Sequence, residues 1–483
     1  MTLKQKAING FSWTVFEGIF SQGAVFVVGI ILARLLSPKD FGVVGIITAI
    51  ITVTNSVVEA GFGSALIRKV EANDKDYNTV FYTNLITAVS LYLLLFFSAK
   101  QIAYFFETPI LSNLIKVSAS ILIINGLVII QRTIITKQLN FKKLGIFAVI
   151  SSVIAGGIAV FMAYKDYGVW SLIAFSVLRP LLNSIMLWLS SKWAPKLQFS
   201  KQSFTELFNF GYKLLITNLV NTAYKNVYYF IIGKYFSPTS LGFYTRADQF
   251  QTPFSTNITF AIRRISFPIL SNFQNDRKNL NLKFIQFIRF SMFLNFTIML
   301  VIAAIAKPLI LITIGEKWET SILYLQLLCI PGMLYPLQIL HLNLLLIKGY
   351  SNLNLRLEII KKIILIPIIL TTVNYGIIHM IYGLILFSII EYFINSYYTK
   401  NIIHYTIKDQ FKDFIPFFLL AFLTFIGMLA ITYLISNLYL MLIIQIITGV
   451  LVFICVNETI KLSEYLTIKN KIFATLKNRI NER

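Results

Sequence analysis

A few charged side chains lie deep inside long apolar stretches of this sequence. Lys225 lies nine residues before Lys234, which ends its apolar run, and Arg179 stands next to Pro180 in the middle of another run. Arg246 lies about one helical turn into a third. A charge at such a depth costs about 3 kcal/mol on insertion scales. These cations are therefore expected to meet water, a counter-ion or a bound ligand.

Polar side chains recur at helical spacing in four of the apolar segments, and residues three or four apart share one face of a helix. The four stripes are Glu17 and Ser21; Thr48, Thr52, Asn55 and Glu59; Lys213, Thr217, Asn221 and Lys225; and Asp248, Thr252, Ser255 and Thr259. The last two follow the first two by 200 residues. Four matched stripes predict a shared polar cavity, although each stripe alone is also typical of helix packing through hydrogen bonds.

These positions divide into candidate binding residues and candidate counter-charges. The candidate substrate-binding residues are Lys225, Arg246, Arg179, Lys213, Asn221 and Asn55. The acids Glu17, Glu59 and Asp248 either pair with the cations or bind a coupling proton or sodium ion, and the sequence leaves both roles open. Snorkelling to the membrane surface is the alternative for Arg246 and the expectation for Lys213, Lys116 and Arg289, which lie near the ends of apolar runs.

The sequence contains no recognisable catalytic or metal-binding pattern. GxxxxGK[ST], HExxH and CxxC are absent, and His341, His379 and His404 are far apart. Cys329 and Cys455 lie inside apolar runs, where they are expected to pack as small apolar residues. We therefore expect no enzyme activity, no metal site and no cofactor.

The elements that position these residues are predicted to be membrane-spanning helices. The chain of 483 residues is 57% hydrophobic and 13% charged, with a mean hydropathy of +0.74. Because about 20 apolar residues span a bilayer, the pattern predicts an all-α polytopic membrane protein with an uncleaved first helix. About 14 spans are predicted, near 11–33, 41–64, 79–98, 114–132, 144–164, 167–190, 208–233, 241–262, 285–306, 321–347, 357–373, 381–398, 414–435 and 439–459.

Lys and Arg residues fall unevenly between the predicted loops. With the N-terminus in the cytoplasm, 30 of the 43 cations lie in cytoplasmic segments and 7 on the opposite side. This bias predicts that both termini are cytoplasmic. It also explains most of the net charge of +23 without a nucleic-acid partner.

One short polar break occurs twice, as LARLLSPKDFGVVG (32–45) and GKYFSPTSLGFYT (233–245). Ser37 is expected to cap the following helix with Pro38 in its first turn, and Ser237 and Pro238 repeat that pattern. Six predicted spans separate the copies, which predicts a parallel repeat of two six-helix lobes. The predicted boundaries are 1–200 for spans 1–6, 201–405 for spans 7–12, and 406–483 for spans 13–14 and a basic tail.

Four motifs of the sequence are ARLLSPKDFGVVG (33–45), EAGFGSALIRK (59–69), LGFYTRADQFQTPFS (241–255) and RRISFPILS (263–271). Together they resemble the Wzx-type polysaccharide flippases, in the branch that exports O-antigen, exopolysaccharide or teichuronic acid units. The resemblance covers residues 1–300, with Arg246, Pro253 and Pro268 at its characteristic positions.

The resemblance implies a MATE-like fold in which helices 1, 2, 7 and 8 line a central cavity. It also implies alternating-access transport of an undecaprenyl-pyrophosphate-linked oligosaccharide across a bacterial cytoplasmic (inner) membrane, for surface polysaccharide synthesis. The cations would then contact the pyrophosphate, and Tyr224, Tyr228, Tyr229 and Tyr244 either stack on sugars or sit at the membrane interface. A MATE-like, cation-coupled exporter of small molecules is the alternative, but a cavity with more bases than acids disfavours it. Short external loops disfavour an enzyme.

Overall fold

The structure is a computed structural model that describes residues 20, 22–59, 61–69, 71–467 and 469–470, without the side chain of Lys213. Nearly all of these residues are helical and none of them belongs to a β-strand, which confirms the all-α class. The chain divides into two compact units, residues 1–245 and residues 246–483.

The helices that begin in the first unit include the long apolar helices and several short ones. They are α1 (Gln22–Leu35), α2 (Pro38–Glu59), α3 (Phe62–Arg68), α4 (Asp74–Phe105), α5 (Leu111–Ser118), α6 (Ser120–Lys137), α7 (Phe141–Tyr164), α8 (Val169–Ser190), α9 (Lys201–Lys225), α10 (Val227–Tyr235) and α11 (Pro238–Asn272).

The described residues of the second unit form two short 3₁₀ turns, at Glu316–Trp318 and Val373–Tyr375, and eight further helices. They are α12 (Arg277–Ala304), α13 (Ala306–Thr313), α14 (Thr320–Ile347), α15 (Ser351–Thr372), α16 (Ile377–Ser396), α17 (Thr399–Ile403), α18 (Ile407–Leu434) and α19 (Leu438–Ile460).

The repeated polar break starts a helix in both copies, as its sequence predicts. The backbone N–H of Ser37 donates to Asp40 Oδ2 at 3.0 Å, and the Asp40 N–H donates back to Ser37 Oγ at 3.3 Å. In the second copy the N–H of Ser240 donates to Ser237 Oγ at 3.1 Å. Both serines therefore satisfy amide groups that the first turn of a helix leaves without partners.

The two copies of the break contact each other within the first unit. A Cβ atom on Gly42 would lie 1.6 Å from the carbonyl oxygen of Pro238, and one on Gly242 would lie 1.9 Å from the carbonyl oxygen of Pro38. Only a residue without a side chain permits this approach. The repeated glycines therefore allow the N-terminal turns of α2 and α11 to pack backbone against backbone.

Ten helical segments of the described residues are long and apolar enough to cross a membrane, and each coincides with a predicted span. The predicted span 11–33 begins outside the described residues. The spans predicted at 208–233, 241–262 and 357–373 are helical but do not meet the same criterion of length and apolar composition. The ten segments that meet this criterion show that the protein is a multi-pass membrane protein.

The span predicted over 208–233 is not one continuous helix, because α9 ends at Lys225 and α10 begins at Val227. The side-chain amide of Asn226 donates to the Thr222 carbonyl at 2.8 Å. Its backbone N–H is shared between the carbonyls of Thr222 and Ala223. A short amide side chain that competes for backbone groups, together with such tightened bonding, interrupts a helix.

Candidate functional site

A polar cavity of about 330 Å³ lies within the first unit. Helices α2, α5, α6 and α8 surround it, so its walls come from residues between Val44 and Ser184. The charged or amide side chains of its lining are Arg132, Arg179, Asn125 and Asn183, and its hydroxyl side chains are Thr48, Thr52, Ser118, Ser176 and Ser184.

Helix α8 contributes Arg179 from the middle of the helix. Ser176, Arg179 and Asn183 lie at positions i, i+3 and i+7, which share one helical face, and all three line the cavity. The Nε–H of Arg179 donates to the hydroxyl of Ser152 on α7 at 3.1 Å. This hydrogen bond holds the half-buried guanidinium at the cavity wall.

Helix α6 contributes a second guanidinium that sequence reasoning missed. Arg132 was predicted to end a span and was counted among the cytoplasmic loop cations, but it lies inside α6 and lines the cavity. Asn125 and Arg132 are seven residues apart and therefore lie on one helical face. That spacing was the signal available in the sequence.

The cavity concentrates positive charge. The charge of Arg132 acts on the guanidinium of Arg179. No carboxylate of the described residues lies within ion-pair distance of either side chain. Two guanidiniums that repel each other in a poorly hydrated cavity favour the binding of an anion, and each can donate two parallel hydrogen bonds to a phosphate.

The stripe predicted on α2 reaches the same cavity. Thr48 and Thr52 line it directly. The side-chain amide of Asn125 donates to Asn55 Oδ1 at 2.9 Å, and the Asn55 amide donates to Glu59 Oε1 at 3.2 Å. The structure therefore brings Asn55 and Glu59 into one hydrogen-bonded chain that ends at the cavity wall.

The other predicted residues of the first unit lie elsewhere. Lys225 is exposed at the last position of α9, and Asn221 is half-buried on the same helix. Neither belongs to the cavity lining. Glu17 and the side chain of Lys213 lie outside the described part of the chain.

Arg246 and Asp248 belong to the second unit. Arg246 is only 6% exposed, and its guanidinium carbon lies 5.9 Å from the ring centroid of the buried Trp318. Asp248 accepts a hydrogen bond from the Thr252 hydroxyl at 2.7 Å. The Thr259 hydroxyl donates to the Ser255 carbonyl of its own helix at 2.7 Å. Part of this stripe is therefore satisfied within α11.

Arg289, for which snorkelling is expected from the sequence, contacts two carboxylates. Its Nε–H donates to Glu464 Oε1 at 2.8 Å, and its Nη1 lies 3.5 Å from Asp413 Oδ1. Two carboxylates close to each other in space satisfy this charge better than a long reach to the membrane surface. Lys116 instead lies over the ring of Phe96, with 5.1 Å between its Nζ and the ring centroid.

The aromatic residues considered for sugar stacking pack on one another. The rings of Tyr228 and Tyr244 are stacked with centroids 6.3 Å apart, and the Tyr229 ring meets Tyr244 edge-on at 5.8 Å. Both Tyr228 and Tyr244 are buried.

A second hollow of the first unit, of about 420 Å³, has an almost wholly apolar lining with Gln101 as its one polar side chain. The polar cavity is therefore the better candidate for binding a charged group. Among the described residues, no group of three or more His, Cys, Asp or Glu side chains is placed to hold a metal ion.

The fold places this chain in a known structural class. It aligns with the solved structure of the lipid II flippase MurJ in an inward closed conformation, with a TM-score of 0.76 at 17% identity. The alignment covers 94% of this chain and 98% of that chain. At such an identity the likeness establishes a shared fold.

A family profile described as polysaccharide biosynthesis protein matches residues 31–323, which is more than half of the chain. The protein belongs to this family. The teichuronic acid biosynthesis protein TuaB of Bacillus subtilis is 27% identical over 302 residues, which is 62% of this chain and 62% of TuaB, less than two thirds of its length. The succinoglycan biosynthesis transport protein ExoT of Rhizobium meliloti is 25% identical over 337 residues, covering 69% of this chain and 68% of ExoT.

Proposed function

We propose that this protein is a flippase that moves a polyprenyl-pyrophosphate-linked oligosaccharide from the cytoplasmic to the outer leaflet for surface polysaccharide synthesis. The observation that carries this function is the cavity of the first unit, which both Arg132 and Arg179 line without a carboxylate partner among the described residues. The family, the roles in polysaccharide synthesis that TuaB and ExoT are named for, and the fold shared with a lipid II flippase support the same conclusion.

The chemistry of such a substrate matches this cavity. A pyrophosphate carries several negative charges and acceptor oxygens, which two guanidiniums can bind in a bidentate manner. The amides of Asn125 and Asn183 add donors and acceptors suited to sugar hydroxyls or to phosphate oxygens. A cationic drug would instead require carboxylates, and none of the described residues lining this cavity carries one.

The cavity volume indicates which part of the substrate it holds. Small-molecule sites measure about 300 to 1,000 Å³, so a cavity of about 330 Å³ suits a charged headgroup. The apolar lipid tail would gain no hydrophobic free energy from binding in the cavity, because the surrounding bilayer is equally apolar.

The whole molecule is proposed to work by alternating access, with 14 spans arranged as two parallel six-helix lobes and two added helices. Both termini lie in the cytoplasm, and the lobes correspond to residues 1–200 and 201–405. Lys225, Arg246, Lys213 and Asn221 extend the anion path beyond Arg179 and Asn55. Glu17, Glu59 and Asp248 remain the candidate counter-charges or coupling carboxylates, with a proton or a sodium ion as the partner.

The first experiment uses a deletion strain. Its polyprenyl lipids are extracted, and a complete pyrophosphate-linked sugar unit is expected to accumulate and to disappear when the wild type is re-expressed. Arg132→Gln/Arg179→Gln is expected to leave the lipid accumulated, with surface polysaccharide at least tenfold lower and protein level unchanged. A tenfold change corresponds to about 1.4 kcal/mol, which is less than two charge-assisted hydrogen bonds supply.

The matched control is Lys116→Gln, which removes a positive charge of the same unit outside the cavity lining. It is expected to restore export fully. Full export by the double arginine variant would show that the two arginines of the cavity are not needed for transport. Unchanged polysaccharide in the deletion strain would reject the flippase itself.

A further inference from the structure

A buried lysine of the second unit is held between two carboxylates. Lys361 on α15 is only 3% exposed. Its Nζ is ion-paired with Glu358, one turn earlier on the same helix, and with Glu391 Oε1 of α16 at 2.9 Å. Neither Lys361 nor these acids belongs to the polar stripes predicted from the sequence.

This cluster is a poor way to join two helices if stability alone is considered. Helix α16 belongs to one of the ten apolar segments that can span the membrane. Removing charges from water there carries a penalty that mutual attraction only partly offsets, and apolar side chains of similar size often serve better. Ionisable groups in such segments are therefore more often functional than structural.

The geometry of the cluster resembles that of a filled cation site. The side chain of Lys361 is 4% exposed, whereas those of Glu358 and Glu391 are 26% and 22% exposed. The carboxylates thus reach the surface while the ammonium occupies the inner position between them. Carboxylate oxygens are the ligands that hard cations prefer, and an ammonium is a compact positive charge of similar kind.

Other charged or titratable groups also face the cluster from neighbouring helices. Lys362 Nζ lies 3.9 Å from Glu358 Oε2. Tyr335 of α14 interacts electrostatically with the three members of the cluster and with Arg263 of α11. Two lysines therefore balance the two carboxylates, and Arg263 adds a further positive charge.

We propose that Lys361 is a resident cation. Its ammonium fills, between Glu358 and Glu391, a position that a monovalent metal ion would otherwise take. The junction of α15 with α16 therefore does not depend on a metal ion. This inference goes beyond the flippase function and does not depend on it, because it concerns the protein and simple salts only.

The test is a thermal-unfolding measurement on the purified full-length protein in detergent. Wild type and Lys361→Met are compared in NaCl, LiCl, KCl and choline chloride at equal ionic strength, at about pH 8 so that free carboxylates are ionised. The wild type sets the baseline, because a sodium-coupling site elsewhere in the protein would stabilise it in NaCl, and the quantity compared is the additional alkali-over-choline shift of each variant. Lys361→Met is expected to be less stable in choline chloride and to gain about 5 °C in at least one alkali salt, as ligand linkage predicts for a site that fills.

Two further variants keep the test decisive. Lys361→Met/Glu391→Gln removes one carboxylate together with the lysine, so it is expected to fold without any preference among the salts. Lys362→Met, which removes the more distant neighbour, is expected to show no preference either. If Lys361→Met folds only in an alkali salt, that result supports the proposal in the same way as a higher unfolding temperature in that salt.

Four results would overturn the proposal. They are a Lys361→Met protein whose response to the four salts equals that of the wild type, a double variant that responds to alkali ions as Lys361→Met does, a Lys362→Met protein that responds as Lys361→Met does, and failure of both lysine-361 variants to fold in all four salts. The last result counts against it because the double variant keeps the charges balanced.

Discussion

Arg179 combines a fixed position with donors that remain available. Its Nε–H is used by Ser152, and that single hydrogen bond fixes the plane of the guanidinium at the cavity wall. An arginine has five N–H donors in a rigid fork, so the others are left to meet a ligand. A lysine at the same position would keep the charge but lose both the fork and the fixed plane.

We therefore expect Arg179→Lys to export more polysaccharide than Arg179→Gln but about tenfold less than the wild type, because a lysine keeps the charge and loses the bidentate contact. A tenfold loss corresponds to about 1.4 kcal/mol. The measurement is surface polysaccharide in the complemented deletion strain, normalised to the amount of protein in the membrane. Equal and complete loss in both variants would show that the charge at this position contributes nothing by itself.

At the residue level, the sequence identified side chains that repeat in a regular stripe and missed those at segment ends. Thr48, Thr52 and Asn55 were found because their spacing matches one helical face, and the structure places them at or beside the cavity. Arg132 and Lys361 were missed because each lies near the end of an apolar run. A cation there is indistinguishable in sequence from one in a loop, and only the packing of other helices shows what it faces.

Three helix ends meet at Lys69, in the segment between α3 and α4. Its Nζ lies 2.9 Å from Glu206 Oε2 of α9 and 3.1 Å from the buried Asp76 Oδ1 of α4. The hydrogen bond with Glu206, and then that with Asp76, raises the pKa of Lys69 above its usual value. This lysine therefore links α9 to the first turn of α4.

A raised lysine pKa fixes the direction of the pH dependence. The stabilisation is complete below the unfolded pKa of about 10.4 and is lost as the pH rises through the higher folded value. We expect the wild type to be more stable than Lys69→Met at about pH 8, and the difference to shrink above about pH 10.4. The measurement is thermal unfolding of both proteins from about pH 8 to above about pH 10.4. The control is Lys75→Met, which removes an exposed lysine. A difference that stays constant with pH would mean that Lys69 acts by packing alone.

The close contact between α2 and α11 predicts that the stability of the protein depends strongly on the absence of a side chain at Gly42. Gly42→Ala would place a Cβ 1.6 Å from the Pro238 carbonyl oxygen, so the two helix starts must move apart. We expect a loss of about 1 to 3 kcal/mol in stability, as for other overpacked sites.

The matched control is Gly157→Ala on α7, where a Cβ would have no neighbour within 4 Å. The better helix propensity of alanine is expected to leave that variant unchanged or up to about 1 kcal/mol more stable. Thermal unfolding of the two purified variants decides the matter. Equal stability of the two proteins would contradict a tight contact between the helix starts.

Among the elements, ten apolar spans and both caps of the repeated break were predictable, because they depend on local composition. The break at Asn226 was not predicted, since asparagine occurs inside many helices and the competition of its amide with the backbone depends on local geometry. Helices α9, α11 and α15 are too polar to meet a composition criterion. Their helical state is stabilised by packing against neighbours, which no single segment reveals.

At the scale of the whole molecule, the uneven distribution of Lys and Arg predicts the orientation in the membrane. Helix α7 has Lys142 in its first turn and Lys165 just after its last residue, and both are exposed. The proposed topology places Lys142 in the cytoplasm and Lys165 outside. These two positions form a matched pair, since they lie at opposite ends of one helix.

We expect Lys165→Cys to react with a membrane-impermeant maleimide on intact cells, and Lys142→Cys to react only after the membrane is permeabilised. The background is Cys455→Ser, because Cys455 is exposed whereas Cys329 is buried. The reverse labelling pattern would invert the topology, and labelling of both on intact cells would reject α7 as a span.

The reciprocal fit of Gly42 with Pro238 and of Gly242 with Pro38 has the form of an isologous interface, in which the same patch is used twice and residue i meets j as j meets i. Such a patch is self-complementary. A chain that carried only one copy of the break would have presented the same surface to a second copy of itself. The covalent link between the two copies of the break is therefore not what this contact requires, and the pairing has the form of a contact in a symmetric dimer.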